Sequence, residues 1–126
     1  KPYYVKFEVP EDLSAATYEA IRVAAQTGKV KKGTNEATKA IERAISQLIV
    51  IAEDVEPPEV VAHLPINCEE RKTSYTFVPS RQELGKALGI EVTCGAAAIL
   101  DSGDAKHIVD QINSSIEKIK GGTSDQ

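Results

Sequence analysis

The sequence has no tryptophan and no methionine, and it contains only two cysteines, Cys68 and Cys94. Two cysteines at this separation form neither a disulfide framework nor a paired zinc motif. The two histidines do not complete a set of ligands with metal-binding spacing. We therefore expect both thiols to be free and buried in a cytoplasmic protein, and we expect no metal or other cofactor.

Long apolar runs are also absent. The run LIVIA at Leu48–Ala52 is far shorter than the ~20 residues that a membrane helix needs, and no pattern of a secretory signal is found. These absences predict no membrane partner. A length of 126 residues is enough for one independent core. We predict a single domain over residues 1–126, in which residues 120–126 are a flexible tail.

A surplus of positive charge is missing as well. The 15 lysines and arginines face 19 aspartates and glutamates, which gives a formal net charge of −4. A protein coated with positive charge is thereby excluded. A local basic patch is not excluded, because salt screens charges beyond a Debye length of ~8 Å and their distribution then matters more than their total.

Helical periodicity alternates with short extended patterns along the chain. The first helix is predicted at Glu11–Thr27, and the second begins at a cap at Thr34 or Asn35 and has apolar positions through Ala44, Ile45 and Leu48. A third helical segment begins at Pro58 and is interrupted at Pro65. The fourth helix runs from the Ser80–Glu83 capping box to Gly89, and the last from about Asp104 to Lys118. Strands are predicted in LIVIAED, YTFV and CGAAAILD. The alternation predicts an α/β domain whose helices cover a small central sheet, with function in the loops at one end. The candidate loops are those around Gly33, after Asp54, and between Gly89 and Cys94.

The stretch KKGTNEATKA, residues 31–40, concentrates positive charge beside a glycine and a helix start. Lysines precede Gly33 at positions 29, 31 and 32, and Lys39 follows it within the predicted helix. The stretch is not a P-loop, which needs an earlier glycine and a glycine–lysine–serine/threonine end. A helix start offers free N–H groups to phosphate, and glycine allows close approach. Spacing alone leaves two interpretations equally open, an RNA or phosphate site and a solvated turn with a Glu36–Lys39 ion pair.

Other patterns carry weaker functional hypotheses. His63 and Cys68 are close in sequence and could serve a small hydrolase-type enzyme, but no third residue orients them, so packing explains them better. Four acids, Glu53, Asp54, Glu56 and Glu59, could bind a cation, although a solvated loop explains them better. The same loop and the third helix could also dock a protein partner.

Three segments together resemble a known family: KKGTNEATKAIERAISQLIVIAEDVEPPEVVAHLP, CEERKTSYTFV and ELGKALGIEV. They resemble the kink-turn RNA-binding ribosomal proteins, often written L-seven-Ae, over about residues 5–120 and most closely in the archaeal branch. The resemblance implies a three-layer α/β/α sandwich with a small central mixed sheet and a protein that is not an enzyme. It implies binding of kink-turn and kink-loop RNA in the large ribosomal subunit, in box C/D and box H/ACA guide ribonucleoproteins with their scaffold proteins, and in ribonuclease P, which processes tRNA.

The resemblance also implies which residues contact RNA. Asn35, Glu36 and Lys39 would meet the guanine edges that tandem sheared G·A pairs leave free. The RNA backbone would lie along Lys32, Gly33 and Thr34, with attraction from Lys29 and Lys31. A second set of contacts would come from the loop at Ile90, Glu91 and Val92, which would cover an extruded nucleotide. Val60 would lie at the border of this contact. From the residues alone, Ile90 and Val92 would be predicted as buried strand-edge residues.

Overall fold

The computed structural model describes residues 1–122 and contains five α-helices and four β-strands there. In chain order the elements are α1 Glu11–Thr27, β1 Lys29–Lys32, α2 Thr34–Glu42, β2 Leu48–Ala52, α3 His63–Arg71, β3 Tyr75–Val78, α4 Arg81–Ala87, β4 Ala96–Asp101 and α5 Lys106–Gly122. Short 3₁₀ turns at Pro58–Val60 and Gly103–Ala105 precede α3 and α5. Within residues 1–122, no helix has both the length and the apolar character needed to cross a membrane.

The strands form one mixed sheet in the order β1-β4-β2-β3. β2 and β3 are parallel, whereas β4 runs antiparallel to both of its neighbours, β1 and β2. Helix α1 contacts α4 and α5, and α2 contacts α3, so the helices form two groups that cover the sheet. This arrangement confirms the predicted α/β class, with helical layers around a small mixed sheet.

The core follows from the composition of the two central strands. Every residue of β2 and β3 is buried, which is expected for continuous apolar runs covered on both faces. Strand β4 begins with Ala96, Ala97 and Ala98, all fully buried. These small side chains let α2 pack closely over the middle of the sheet, where it contacts β4.

The strand directions bring three distant loops to one edge of the sheet. Lys32 at the end of β1 pairs with Ala97 near the start of β4, and Ile51 near the end of β2 pairs with Ala96. The turn at Gly33, the loop after β2 and the loop before β4 therefore share this edge. The prediction that these loops lie at one end of the fold is confirmed.

The region around α2 differs from the sequence prediction. Residues 29–32 form an edge strand rather than a turn. The N-cap of α2 is Gly33 and not Thr34 or Asn35, and the helix ends at Glu42. Ala44 has a φ of +55°, which breaks the helix, so the apolar positions at Ala44, Ile45 and Leu48 are not helical.

The third and last helical segments also begin and end at other residues than predicted. Pro65 lies in the first turn of α3, where a missing N–H costs no hydrogen bond, and the interruption falls before His63 instead. Helix α5 continues to Gly122, so residues 120–122 of the predicted tail are helical. The remaining four positions of that tail lie outside the described residues.

Candidate nucleic-acid interface

The turn between β1 and α2 depends on Gly33. Its φ of +105° and ψ of 157° belong to a region that side chains rarely adopt. Its N–H donates to the Ala96 carbonyl at 2.8 Å, and its carbonyl accepts from the Ala37 N–H at 2.9 Å. A Cβ added at Gly33 would meet no atom of the described residues within 4 Å. Glycine is therefore required by the backbone conformation, and the space in front of the turn is open.

The N-terminus of α2 follows directly and is uncapped. Its N-cap, Gly33, has no side chain to accept a hydrogen bond, and no side chain of residues 1–122 caps this helix. The first N–H groups, those of Thr34, Asn35 and Glu36, have no partner inside the helix. Asn35 is exposed, and Thr34 and Glu36 are half-buried. The positive end of this helix dipole, with its free donors, is thus open to an anion or another acceptor.

Two charged side chains lie on the first turns of the same helix. Lys39 Nζ lies 3.3 Å from Glu36 Oε2, as the sequence spacing predicted. Thr38 does not take part, because its hydroxyl donates to the Thr34 carbonyl at 2.9 Å and faces α3. The ion pair and Asn35 therefore form the polar, outward part of this helix start.

Strand β1 adds positive charge beside the turn. Lys29, Lys31 and Lys32 are exposed, and none of them has an acidic partner within 4.0 Å among residues 1–122. Because side chains alternate along a strand, Lys31 and Lys32 lie on opposite faces of β1. Their charges flank Gly33 on a protein that is acidic as a whole.

The loop before β4 is held tightly against α4. The Ile90 N–H donates to the Gly85 carbonyl at 3.1 Å, and the Cys94 N–H donates to the Arg81 carbonyl at 3.0 Å. A Cβ at Gly85 would lie 2.1 Å from the Val92 carbonyl oxygen, so only glycine allows this approach. Val92 is left 69% exposed, while Ile90 is half-buried against the core. Both residues would be predicted as buried from the sequence alone, and Val92 is instead exposed.

The three loops meet at Gly95. A Cβ built there would lie 3.2 Å from Val55 Cγ2, 3.5 Å from Val61 Cγ1 and 3.7 Å from Thr34 Oγ1. Thr34 begins α2, and the two valines belong to the loop after β2. Val60, in the same loop, is 44% exposed. The structure therefore brings the start of α2 and the start of β4 together with the loop that carries Val60.

The proposed hydrolase pair is not assembled. Cys68 is fully buried, and burial raises the pKa of its thiol from 9.0 to about 12, with a smaller contribution from Glu69. His63 Nε2 lies 2.8 Å from Thr38 Oγ1, which joins α3 to α2. A thiol of such high pKa is a poor nucleophile, and the histidine serves packing between helices.

The acidic loop is engaged in structural contacts. Glu53 pairs with Lys1 at 3.3 Å, and Asp54 Oδ1 accepts from the Arg81 N–H at 2.8 Å. No group of three or more potential metal ligands occurs within the described part of the chain.

Neither Arg81 nor Gly85 was identified as a functional residue from the sequence. The only local signal there was the capping box at Ser80 and Glu83. This capping box is present, because the Glu83 N–H donates to Ser80 Oγ at 3.1 Å.

Comparisons with known proteins agree with this geometry. The profile of the ribosomal protein L7Ae/L30e/S12e/Gadd45 family matches residues 15–109. The chain is 73% identical over 126 residues to the large ribosomal subunit protein eL8 of Nitrosopumilus maritimus (strain SCM1), covering 100% of this chain and 98% of that protein. It is 72% identical over 123 residues to the eL8 of Cenarchaeum symbiosum (strain A), covering 98% of this chain and 97% of that protein. The solved structure of the Giardia lamblia 15.5kD RNA binding protein superposes with a TM-score of 0.88 at 29% identity, covering 94% of this chain and 99% of that one.

Proposed function

The chain belongs to the ribosomal protein L7Ae/L30e/S12e/Gadd45 family, and on this premise we propose that it binds RNA as a component of the large ribosomal subunit. The family resemblance inferred from sequence is confirmed, and so is its archaeal branch. Because the relatives are named as ribosomal proteins, the prediction that the chain is not an enzyme is also confirmed. We further propose that residues 1–126 act as one RNA-binding domain in the cytoplasm.

The observation that supports RNA binding most directly is the uncapped N-terminus of α2 beside the lysines of β1. Free N–H groups and a helix dipole favour phosphate, and unpaired lysines favour a polyanion. Gly33 leaves room for a nucleic-acid backbone to approach the turn. The backbone of the RNA would therefore run along Lys32, Gly33 and Thr34, with Lys29 and Lys31 contributing attraction.

The RNA element that fits the polar groups of α2 is a kink-turn or a kink-loop. Its sheared G·A pairs leave the Watson–Crick edge of each guanine free, in a groove that regular A-form RNA does not offer to side chains. The Glu36 carboxylate accepts from guanine N1 and N2 hydrogens, and the Lys39 ammonium donates to O6. The Asn35 amide both donates and accepts. These three side chains would read the guanines.

An extruded nucleotide of the kink would lie against the loop before β4. Val92 presents an exposed apolar side chain there, beside half-buried Ile90 and exposed Glu91. Apolar cover replaces the stacking that a flipped base loses. Val60, exposed on the neighbouring loop, would border the same nucleotide.

One RNA element can occur in several assemblies, and the proposal extends to them. Recognition of the kink rather than of a long sequence would let the same surface serve ribosomal RNA, box C/D and box H/ACA guide RNA, and ribonuclease P RNA. In the guide complexes, scaffold proteins would be the additional partners.

The test is binding to a kink-turn RNA and to a matched RNA whose G·A pairs are changed to Watson–Crick pairs. We expect the protein to shift the first RNA at much lower concentration than the second. Calorimetry at a fixed salt concentration gives the two affinities on one scale. Equal affinity for both RNAs would contradict kink-turn recognition and leave only non-specific attraction.

A further inference from the structure

Arg81 joins two of the loops at the candidate interface. Its backbone N–H donates to Asp54 Oδ1 at 2.8 Å, and its guanidinium Nη1 donates to the Asp54 carbonyl. Its own carbonyl accepts from the Cys94 N–H at 3.0 Å. One residue at the start of α4 therefore binds the loop after β2 on one side and the loop before β4 on the other.

Both loops carry exposed apolar side chains that would contact RNA. The loop after β2 continues from Asp54 to Val60, and the loop before β4 carries Val92 two residues ahead of Cys94. These side chains are 44% and 69% exposed and have little packing of their own to fix them. The two loops pack together at Gly95, and Arg81 adds three hydrogen bonds that anchor them to the start of α4.

We propose that Arg81 is a positioning residue for the RNA site: with Asp54 it holds the Val60 and Val92 loops at the separation that an extruded nucleotide requires. The proposal rests on the RNA-binding function proposed above. The Arg81 side chain is committed to the Asp54 carbonyl and acts through the loops rather than on phosphate. Ordering two loops before RNA arrives removes a conformational cost from binding.

The two roles predict opposite effects of Asp54→Ala on RNA affinity. Asp54→Ala removes a negative charge from the RNA-facing edge, which by electrostatics alone strengthens binding. If Asp54 and Arg81 position the loops, the same change weakens binding instead. We expect Asp54→Ala and Arg81→Ala each to lower affinity for a kink-turn RNA by about three- to tenfold, the scale of one lost hydrogen bond.

The matched control is Arg71→Ala. Arg71 Nη1 also donates to a backbone carbonyl, that of Glu42 at 2.9 Å, but it does so at the far end of α2 from Gly33. The three variants are measured on a kink-turn RNA with its extruded nucleotide and on one from which that nucleotide is deleted. We expect the loss to be confined to the Asp54 and Arg81 variants and to the first RNA, with the salt dependence of binding unchanged. It should also disappear in a Val92→Ala background, since coupled residues are non-additive.

A second measurement without RNA keeps the two proposals distinct. Amide hydrogen exchange at residues 54–61 should accelerate in Arg81→Ala relative to Arg71→Ala, because the loop after β2 loses the bond from the Arg81 guanidinium to the Asp54 carbonyl, whereas the bond from the Cys94 N–H to the Arg81 backbone carbonyl remains. Unchanged exchange, equal losses on both RNAs, or tighter binding by Asp54→Ala would each overturn the positioning role. Failure of the parent protein to prefer a kink-turn over its Watson–Crick control would instead overturn the proposed function, and the positioning role with it.

Discussion

Lys39 Nζ lies 3.3 Å from Glu36 Oε2 on the exposed side of α2, so the two groups proposed to read guanine are paired with each other in the free protein. Their side chains are 52% and 39% exposed. Helical ion pairs with such exposure contribute only about 0.3–0.5 kcal/mol. The pair therefore keeps both groups near the helix start and can be exchanged for base contacts at little cost.

Glu36→Ala tests whether the carboxylate reads a base. Charge alone predicts tighter RNA binding, because a repulsion to phosphate is removed. If Glu36 accepts from a guanine edge, affinity for the kink-turn should fall by about 1–3 kcal/mol, while binding to an ordinary duplex stays equal or improves slightly. Glu19→Ala is the control, since Glu19 forms a similarly spaced exposed pair with Arg22 on α1. Calorimetric titration of both RNAs gives the answer, and tighter kink-turn binding by Glu36→Ala would rule out base reading.

Gly33→Ala should affect both stability and binding. A Cβ at Gly33 would meet no atom of residues 1–122 within 4 Å, so the stability cost comes from the positive φ and should be about 1–3 kcal/mol. The same methyl group would stand in the path of the RNA backbone and lower affinity further. Gly121→Ala is the control, because a Cβ there would also lie more than 4 Å from the other described residues, while the backbone is helical. Chemical denaturation measures the loss of stability, and RNA titration of the folded protein measures the loss of affinity.

Val92 and Ile90 should behave differently despite their similar chemistry. Val92→Ala should leave the free energy of unfolding unchanged and weaken kink-turn binding by about 1–2 kcal/mol, because its exposed side chain would cover the extruded base. Ile90→Ala should lower the free energy of unfolding by about 1 kcal/mol, because Ile90 packs on the core. An RNA without the extruded nucleotide should not distinguish Val92→Ala from the parent. Equal losses on both RNAs would place Val92 outside the proposed contact.

Lys32→Ala should flatten the salt dependence of RNA binding. Lys32 is exposed, lies next to Gly33 and has no acidic partner within the described residues, so a phosphate contact there would release about one counterion. The slope of log affinity against log salt should fall by ~1 and the loss should be similar for all RNAs. Lys31→Ala, on the opposite face of the strand, should change the slope less. An unchanged slope for Lys32→Ala would remove the basic strand from the phosphate site.

The buried thiol of Cys68 predicts a loss of stability at alkaline pH. The pKa of this thiol is about 12 in the folded protein and about 9 when exposed, so the unfolded chain releases its proton first. The contribution of this thiol to the free energy of unfolding is therefore fully present below pH ~9 and is lost progressively as the pH rises above that value. Under reducing conditions, the free energy of unfolding should decline more steeply between pH 8 and pH 10 in the parent than in Cys68→Ala. Tyrosines with raised pKa act equally in both proteins, and parallel declines would contradict the prediction.

Much of the fold follows from local sequence signals. Helix α1 is confirmed with the bounds that its periodicity and Gly28 predict, and β2 and β3 are confirmed because continuous apolar runs leave few alternatives. Strand β1 was missed because its four residues include three lysines and show no apolar alternation. Its pairing depends on Ala97 and Ala98, far away in the sequence, which no local pattern reveals.

The candidate site was predicted in parts rather than as a whole. The glycine, the lysines and the Glu36–Lys39 spacing are visible locally, whereas the approach of Thr34 to Gly95 depends on the strand order. The helix α2 was predicted to extend too far, because Ile45 continues the apolar spacing of this helix. In the structure the chain leaves the helical conformation before Ile45, at Ala44, and Ile45 is exposed. The RNA contacts themselves stay predictions.

The position of β4 between β1 and β2 also has a consequence for protein synthesis. Among residues 1–122, β4 is the last strand, yet it is the only strand that pairs with β1, and the Ala96 carbonyl holds the Gly33 turn. A nine-residue helix such as α2 is marginal on its own. During synthesis from the N-terminus, the lysines and α2 therefore emerge early but have no sheet to rest on until residues 96–101 have left the exit tunnel. If the proposed RNA site is correct, the nascent chain would be kept from capturing RNA prematurely, and binding would begin only when nearly all of the protein has been made.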